Sequence, residues 1–158
     1  MKMDGEYLIP TNVKTVWYNL NDPLVLKEAI PGCVELIKDE ENKFNALVAL
    51  KIGPVSAKFK GEVRLSDIKM FKGYKISGNG NGGVAGFAKG SADIHLEEKE
   101  DGTILRYSVN AQIGGKLAQL GSRLIDSTSK KLAGKFFANF VQIVDTKIML
   151  KEKENEKK

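Results

Sequence analysis

The feature that most constrains this chain is a change of period at Gly114-Gly115. From residue 33 to 113, apolar and polar side chains alternate, which is the pattern of strands with one packed and one wet face. Turn signals at 39–42, Gly53-Pro54, Lys72-Gly73, Gly82-Gly83 and Asp101-Gly102 divide the stretch into six strands. Connections this short imply an antiparallel meander. Past Gly115 the apolar positions step by three or four: Leu117, Leu120, Gly121, Leu124, Thr128, Leu132, Phe136, Phe140 and Val144. That spacing predicts one long amphipathic helix. Its apolar stripe must be buried, and the sheet offers the only large apolar surface.

The start of the chain adds a strand and two short helices. Met3, Gly5, Tyr7 and Ile9 alternate with Lys2, Asp4 and Glu6. Pro10 stops this strand, and Asn12 is placed to cap a helix whose apolar face is Val13, Val16, Trp17 and Leu20. Asp22-Pro23 starts a second helix, and Pro31-Gly32 ends it. The predicted class is α+β. Residues 1–150 form a single domain, and 151–158 are a charged tail expected to be disordered. At 158 residues the chain can fold on its core alone, without a disulfide or metal. Its one cysteine, Cys33, cannot pair within the chain, and its opening residues lack the apolar stretch of a signal peptide. The expectation is a soluble cytoplasmic protein.

A glycine-rich strand pair marks the functional region. Residues 78–90 contain six glycines, and one alternation reads Val84, Gly86, Ala88, Gly90, Ala92 and Ile94. An inward face with so little side chain leaves two outcomes: the helix packs very close, or a cavity remains. Glycines that serve curvature alone are the plainer alternative. Phe87, on the opposite alternation, is either an exposed anchor or a plug at the cavity mouth.

Catalytic groups are sparse. The single histidine, His95, falls on the solvent face with Asp93 and Glu97. No set of Cys, His and carboxylate residues has the makings of a metal site or a nucleophilic triad. Gly114-Gly115-Lys116 lacks the rest of a phosphate-binding loop. Tyr107 shares the apolar alternation of the last strand, where its hydroxyl either orients a ligand carbonyl or bonds to backbone. The helix carries Lys116, Arg123, Lys130, Lys131, Lys135 and Lys147 against Asp126 and Asp145, a basic balance suited to anionic lipid or simply to a solvated face. Nucleic acid is excluded as a partner, because no aromatic residues interleave with the basic ones.

The order Val16-Trp17, Asp22-Pro23, Ile30-Pro31-Gly32-Cys33, Gly53-Pro54-Val55 with Phe59 and Gly61, then residues 85–90 and 115–125, resembles the CoxG family of carbon monoxide dehydrogenase subunits, within the START-like (SRPBCC) superfamily. The likeness runs from Met1 to Val144. It implies a helix-grip fold, with a seven-stranded bent antiparallel sheet around the C-terminal helix and a hydrophobic cavity between them. It implies a non-catalytic accessory protein that binds a quinone or lipid, with no covalent cofactor. Such a protein would link a molybdenum hydroxylase of the carbon monoxide dehydrogenase type to the membrane. The tail here is short and charged, so contact with the inner face of the membrane would be transient and peripheral. On this basis Phe59, Val63, Gly86, Ala88, Tyr107, Val109, Leu117, Leu120, Leu124 and Phe136 are the candidate ligand-binding residues. Phe87, Arg123, Lys130 and Lys131 are the candidate membrane or partner contacts. Two alternatives stand beside it: a recruitment subunit that uses Phe87 and the Ile30–Cys33 loop without carrying a ligand, and a cyclase or hydrolase acting on an apolar substrate.

Overall fold

The computed structural model describes residues 1–157. Strand β1 (Lys2–Ile9) is followed by helices α1 (Val13–Leu20) and α2 (Pro23–Ala29). Six strands come next: β2 (Cys33–Glu40), β3 (Lys43–Ile52), β4 (Val55–Lys69), β5 (Gly73–Asn81), β6 (Phe87–Lys99) and β7 (Gly102–Gly114). The long helix α3 (Ser122–Glu156) ends the chain. The seven strands form one sheet in the order β1-β7-β6-β5-β4-β3-β2, and every neighbouring pair is antiparallel. Together with α3 they make the helix-grip fold.

Local chemistry explains the element starts. The Asn12 side chain accepts from the Thr15 N–H at 2.9 Å, and Asp22 accepts from the Leu24 N–H at 3.0 Å. Each satisfies a backbone donor that the helix itself leaves open. Register shifts interrupt β2 between Cys33 and Glu35 and between Lys38 and Glu40, and the β4–β5 pairing between Ser66 and Lys69. Such bulges bend and twist a strand.

The C-terminal region departs from expectation twice. Residues Gly115–Leu120 form a 3-10 turn, and α3 begins only after Gly121, whose φ of 90° breaks the helical path. The predicted stripe therefore does not run unbroken from Leu117. The segment 151–156, expected to be a disordered tail, continues α3 as helix. Lysine and glutamate both favour helix, and opposite charges such as Lys151 and Glu154 sit three apart on its surface. Lys158 lies outside the described residues.

Two apolar clusters hold the structure. The main one joins Ile9, Val16, Trp17, Leu105, Phe140 and Val144 with their neighbours, tying α1, β1, β7 and the second half of α3 together. The smaller one gathers Phe59, Ala85 and Leu117, with Ile52, Ile113 and Leu120 packed on it, at the opposite end of the sheet. On α3 the buried residues are Ile125, Phe137, Phe140 and Val144, the last two completely. Between Ile125 and Phe137 no residue of the helix is buried, and Thr128, Ser129, Leu132, Ala133, Gly134 and Phe136 are half-buried.

Candidate ligand cavity

A cavity of about 260 Å³ lies at the end of this stretch of α3, beside Phe136 and Phe137. Its floor is the inner face of the sheet: Phe44, Val63, Leu65, Tyr74, Ile76 and Ile94, with Leu105 beyond. The α1–α2 region supplies Leu20, Leu26 and Ile30, β2 supplies Leu36, and α3 supplies Phe136 and Phe137. No charged side chain lines it. A second, more open depression of about 270 Å³ adjoins it, floored by Gly78, Gly80, Ala88, Gly90, Ala92 and Val109. Val63 and Ile76 line both, which places the two side by side along the inner face of the sheet as a trough in two parts.

The glycine and alanine alternation thus has both outcomes, at different places. From Ala88 to Ala92 the small side chains leave space. At Gly86 the backbone packs close: φ is 115°, and a Cβ there would strike the Gly114 carbonyl and the Leu117 N–H. Gly86 therefore holds the corner between β7 and the 3-10 turn, and it lies off the cavity wall. Val84 sits on the 3-10 turn Gly83–Ala85, 85% exposed, outside the strand alternation into which its spacing placed it.

Of the other candidate ligand residues, Val63, Ala88, Val109 and Phe136 line the trough. Phe59, Leu117 and Leu120 instead fill the second core cluster. Leu124 packs toward the β3–β4 turn, where a Cβ on Gly53 would meet its side chain at 2.9 Å. Tyr107 lies against aromatic rings: its centroid is 6.3 Å from Tyr7 and 5.9 Å from Phe137, both stacked. It also covers Gly5 on the paired strand, where a Cβ would run into the phenol ring. Burial, with smaller effects from Tyr7 and Asp4, raises the Tyr107 hydroxyl above its ordinary range. Replacing Gly5 with valine is expected to displace Tyr107 and destabilise the fold by about 1–3 kcal/mol, the usual effect of overpacking, measurable by urea denaturation.

The sequence did not single out the α1–α2 wall, nor Tyr74, Ile76 and Phe137. A signal did exist in β5, where Tyr74 and Ile76 alternate with Lys75 and Ser77 and so share the inner face. Tyr74 is 8% exposed and its ring meets Trp17 edge-on at 5.6 Å. Desolvation pushes its phenol well above the ordinary tyrosine range. In a native alkaline titration followed by ultraviolet absorbance, the Tyr74 step is expected above that of free tyrosine and absent from Tyr74→Phe.

The outer face is polar. His95 is exposed there, opposite Arg106. Glu97 hydrogen-bonds Lys99 and Arg106, and these contacts hold its carboxyl down to about 2. Among the described residues no cluster of His, Cys, Asp and Glu has the form of a metal site. Phe87 is 48% exposed and its ring lies over Gly114 of the paired strand. Arg123, Lys130 and Lys131 are exposed on α3 and form no ion pair among the described residues. No helix is long and apolar enough to cross a membrane.

Comparison with known proteins gives a consistent picture. Residues 5–145 match the family model of CoxG, a carbon monoxide dehydrogenase component. A conserved protein from Geobacillus kaustophilus is similar in structure, with a TM-score of 0.88 and 31% identity over 92% of this chain and 96% of that one. The Zhui aromatase/cyclase from Streptomyces sp. R1128 shares the fold at 7% identity, with a TM-score of 0.65 over 94% of this chain and 95% of that one. No curated protein matches the sequence.

Proposed function

The chain belongs to the CoxG family of carbon monoxide dehydrogenase subunits, and on that premise we propose that it is a non-catalytic accessory protein that carries an apolar ligand, a quinone, for a molybdenum hydroxylase of the carbon monoxide dehydrogenase type. The observation behind this is the trough: a space of ligand size between sheet and helix, with no charged side chain in the deeper cavity. Pockets of this kind bind by burying apolar surface and use a few polar groups to set orientation. Proton transfer or nucleophilic attack would need titratable groups in that space, and the cavity wall offers a single phenol. The test is to extract the purified protein with organic solvent, analyse the extract by mass spectrometry, and titrate the emptied protein with menaquinone. Co-purifying quinone or saturable binding supports carriage. A protein that emerges empty and leaves menaquinone unbound overturns it.

Delivery from a membrane calls for a surface that meets anionic lipid. Arg123, Lys130, Lys131 and Lys135 are exposed along the first half of α3, spaced so that they share one side of the helix. Each basic group near an anionic surface contributes about 1 kcal/mol. Replacing Lys130 or Lys131 by glutamine is therefore expected to lower partition onto phosphatidylserine vesicles about fivefold at low salt, with little effect on neutral vesicles. Equal loss on both kinds of vesicle would count against an electrostatic contact.

One observation favours recruitment without carriage. Val84 and Phe87 stand exposed at 85% and 48% close together in sequence, a small apolar feature available to a protein partner. The Ile30–Cys33 loop is less suited to that role than its sequence suggested, because Ile30 turns inward to line the cavity.

A further inference from the structure

Of the residues that line the cavity, Tyr74 alone carries a polar side-chain group. Among the described residues no donor or acceptor is hydrogen-bonded to it, although Tyr74 is 8% exposed. Yet no side-chain oxygen or nitrogen that is sealed among protein atoms lacks a partner. The Tyr74 oxygen therefore keeps accessible surface of its own, and Tyr74 is a lining residue of the cavity. A tyrosine buried to this degree ordinarily satisfies its hydroxyl with protein. This one is left for something else.

The position is held by packing. The ring lies edge-on to Trp17 at 5.6 Å, and Tyr74 pairs across the sheet with Ile94, itself on the cavity wall. The rotamer is thus fixed by neighbours that make no claim on the oxygen. Because desolvation raises the phenol above its ordinary range, the group remains a neutral donor at any physiological pH. Lys89 borders only the open depression, and no cation lines the closed cavity, so a carboxylate or phosphate would lie beside Tyr74 without a counter-charge.

We infer that Tyr74 is the specificity-determining donor of the cavity, and that the ligand is a neutral, apolar molecule whose buried end carries a single hydrogen-bond-accepting oxygen, such as a ring carbonyl. This rests on the carrier function proposed above and narrows it. The sequence left the Tyr107 hydroxyl either to orient a ligand carbonyl or to bond to backbone. That ring is engaged by Tyr7 and Phe137 over Gly5, and it lines neither part of the trough.

The test compares two probes of the same shape, menadione and methylnaphthalene, by equilibrium dialysis against the full chain, Tyr74→Phe and Tyr107→Phe. Tyr74→Phe keeps the ring and removes only the oxygen. It is expected to bind menadione about fivefold more weakly, as befits one net neutral hydrogen bond, and to bind methylnaphthalene as the wild type does. Tyr107→Phe is expected to change neither. Equal weakening for both probes would reduce Tyr74 to a packing role, and undiminished menadione binding would show the hydroxyl idle; either overturns the inference while leaving carriage intact. Wild-type protein that binds neither probe overturns the carrier function and the inference with it. Should Tyr74→Phe fail to fold, the infrared carbonyl band of menadione bound to the wild type decides the matter. A shift to lower wavenumber than in alkane solution supports the hydrogen bond, and an unshifted band overturns it.

Discussion

Truncating Phe140 to alanine is expected to lower the free energy of unfolding by about 3–5 kcal/mol. The side chain is 0% exposed, stacks on Phe136 with centroids 6.0 Å apart, and belongs to the cluster that joins α3 to β1, β7 and α1. Removing it deletes buried apolar area and leaves a void that rigid strands on one side cannot close. A domain of this kind has only about 5–15 kcal/mol of stability in total, so the loss is a large share of it. Urea denaturation followed by circular dichroism would show the midpoint fall with an unchanged slope. Phe136→Ala provides the contrast. Its ring borders the cavity and is only half-buried, so its removal enlarges existing space and is expected to cost less. A loss below about 1 kcal/mol for Phe140→Ala would mean that α3 is not clamped to the sheet as described.

Which parts of this fold were legible in the sequence follows from the range of the forces that set them. Alternation along β4, where Val55, Ala57 and Phe59 share a face with Val63 and Leu65, is a local pattern and is found intact in the strand. So are the caps at Asn12 and Asp22, which depend on residues two or three positions away. The break at Gly121 was harder to see, because glycine also fits within an amphipathic stripe. Yet it decides the helical phase. Once the 3-10 turn ends and α3 restarts, Leu117 and Leu120 no longer lie in line with Phe136, and they pack in a different cluster. Ile125 and Phe137 become the deeply buried positions instead. The two inward tyrosines show the same limit. Tyr74 and Tyr107 occupy equivalent alternations, and only the tertiary neighbours, Trp17 for one and Tyr7 with Phe137 for the other, determine which of them lines the cavity. The α1–α2 wall, with Leu26 and Ile30, closes a site whose floor lies far along the chain, and no local periodicity records that meeting.

Filling the trough at a residue that both of its parts share should separate carriage from recruitment. Ile76 borders both the closed cavity and the open depression, and its cross-strand partner is the small Ala92. The Ile76→Trp indole therefore has room to enter the trough and occupies space that a ligand would use. Forcing a ligand past atoms that already fill the site costs about 1–3 kcal/mol, so menadione is expected to bind up to about a hundredfold more weakly. Because the indole fills a void rather than a packed core, the thermal midpoint should stay close to that of the wild type. Phe87→Ala, on the outer face over Gly114, is the reciprocal variant and should leave menadione binding unchanged. Capture of the molybdenum hydroxylase by immobilised protein completes the comparison. A carrier loses menadione with Ile76→Trp and still captures the enzyme. A pure recruitment subunit behaves as wild type in Ile76→Trp and weakens in Phe87→Ala or Val84→Asp. If Ile76→Trp folds and binds menadione with wild-type affinity, the trough is not the ligand site, because no ligand can share that volume with an indole.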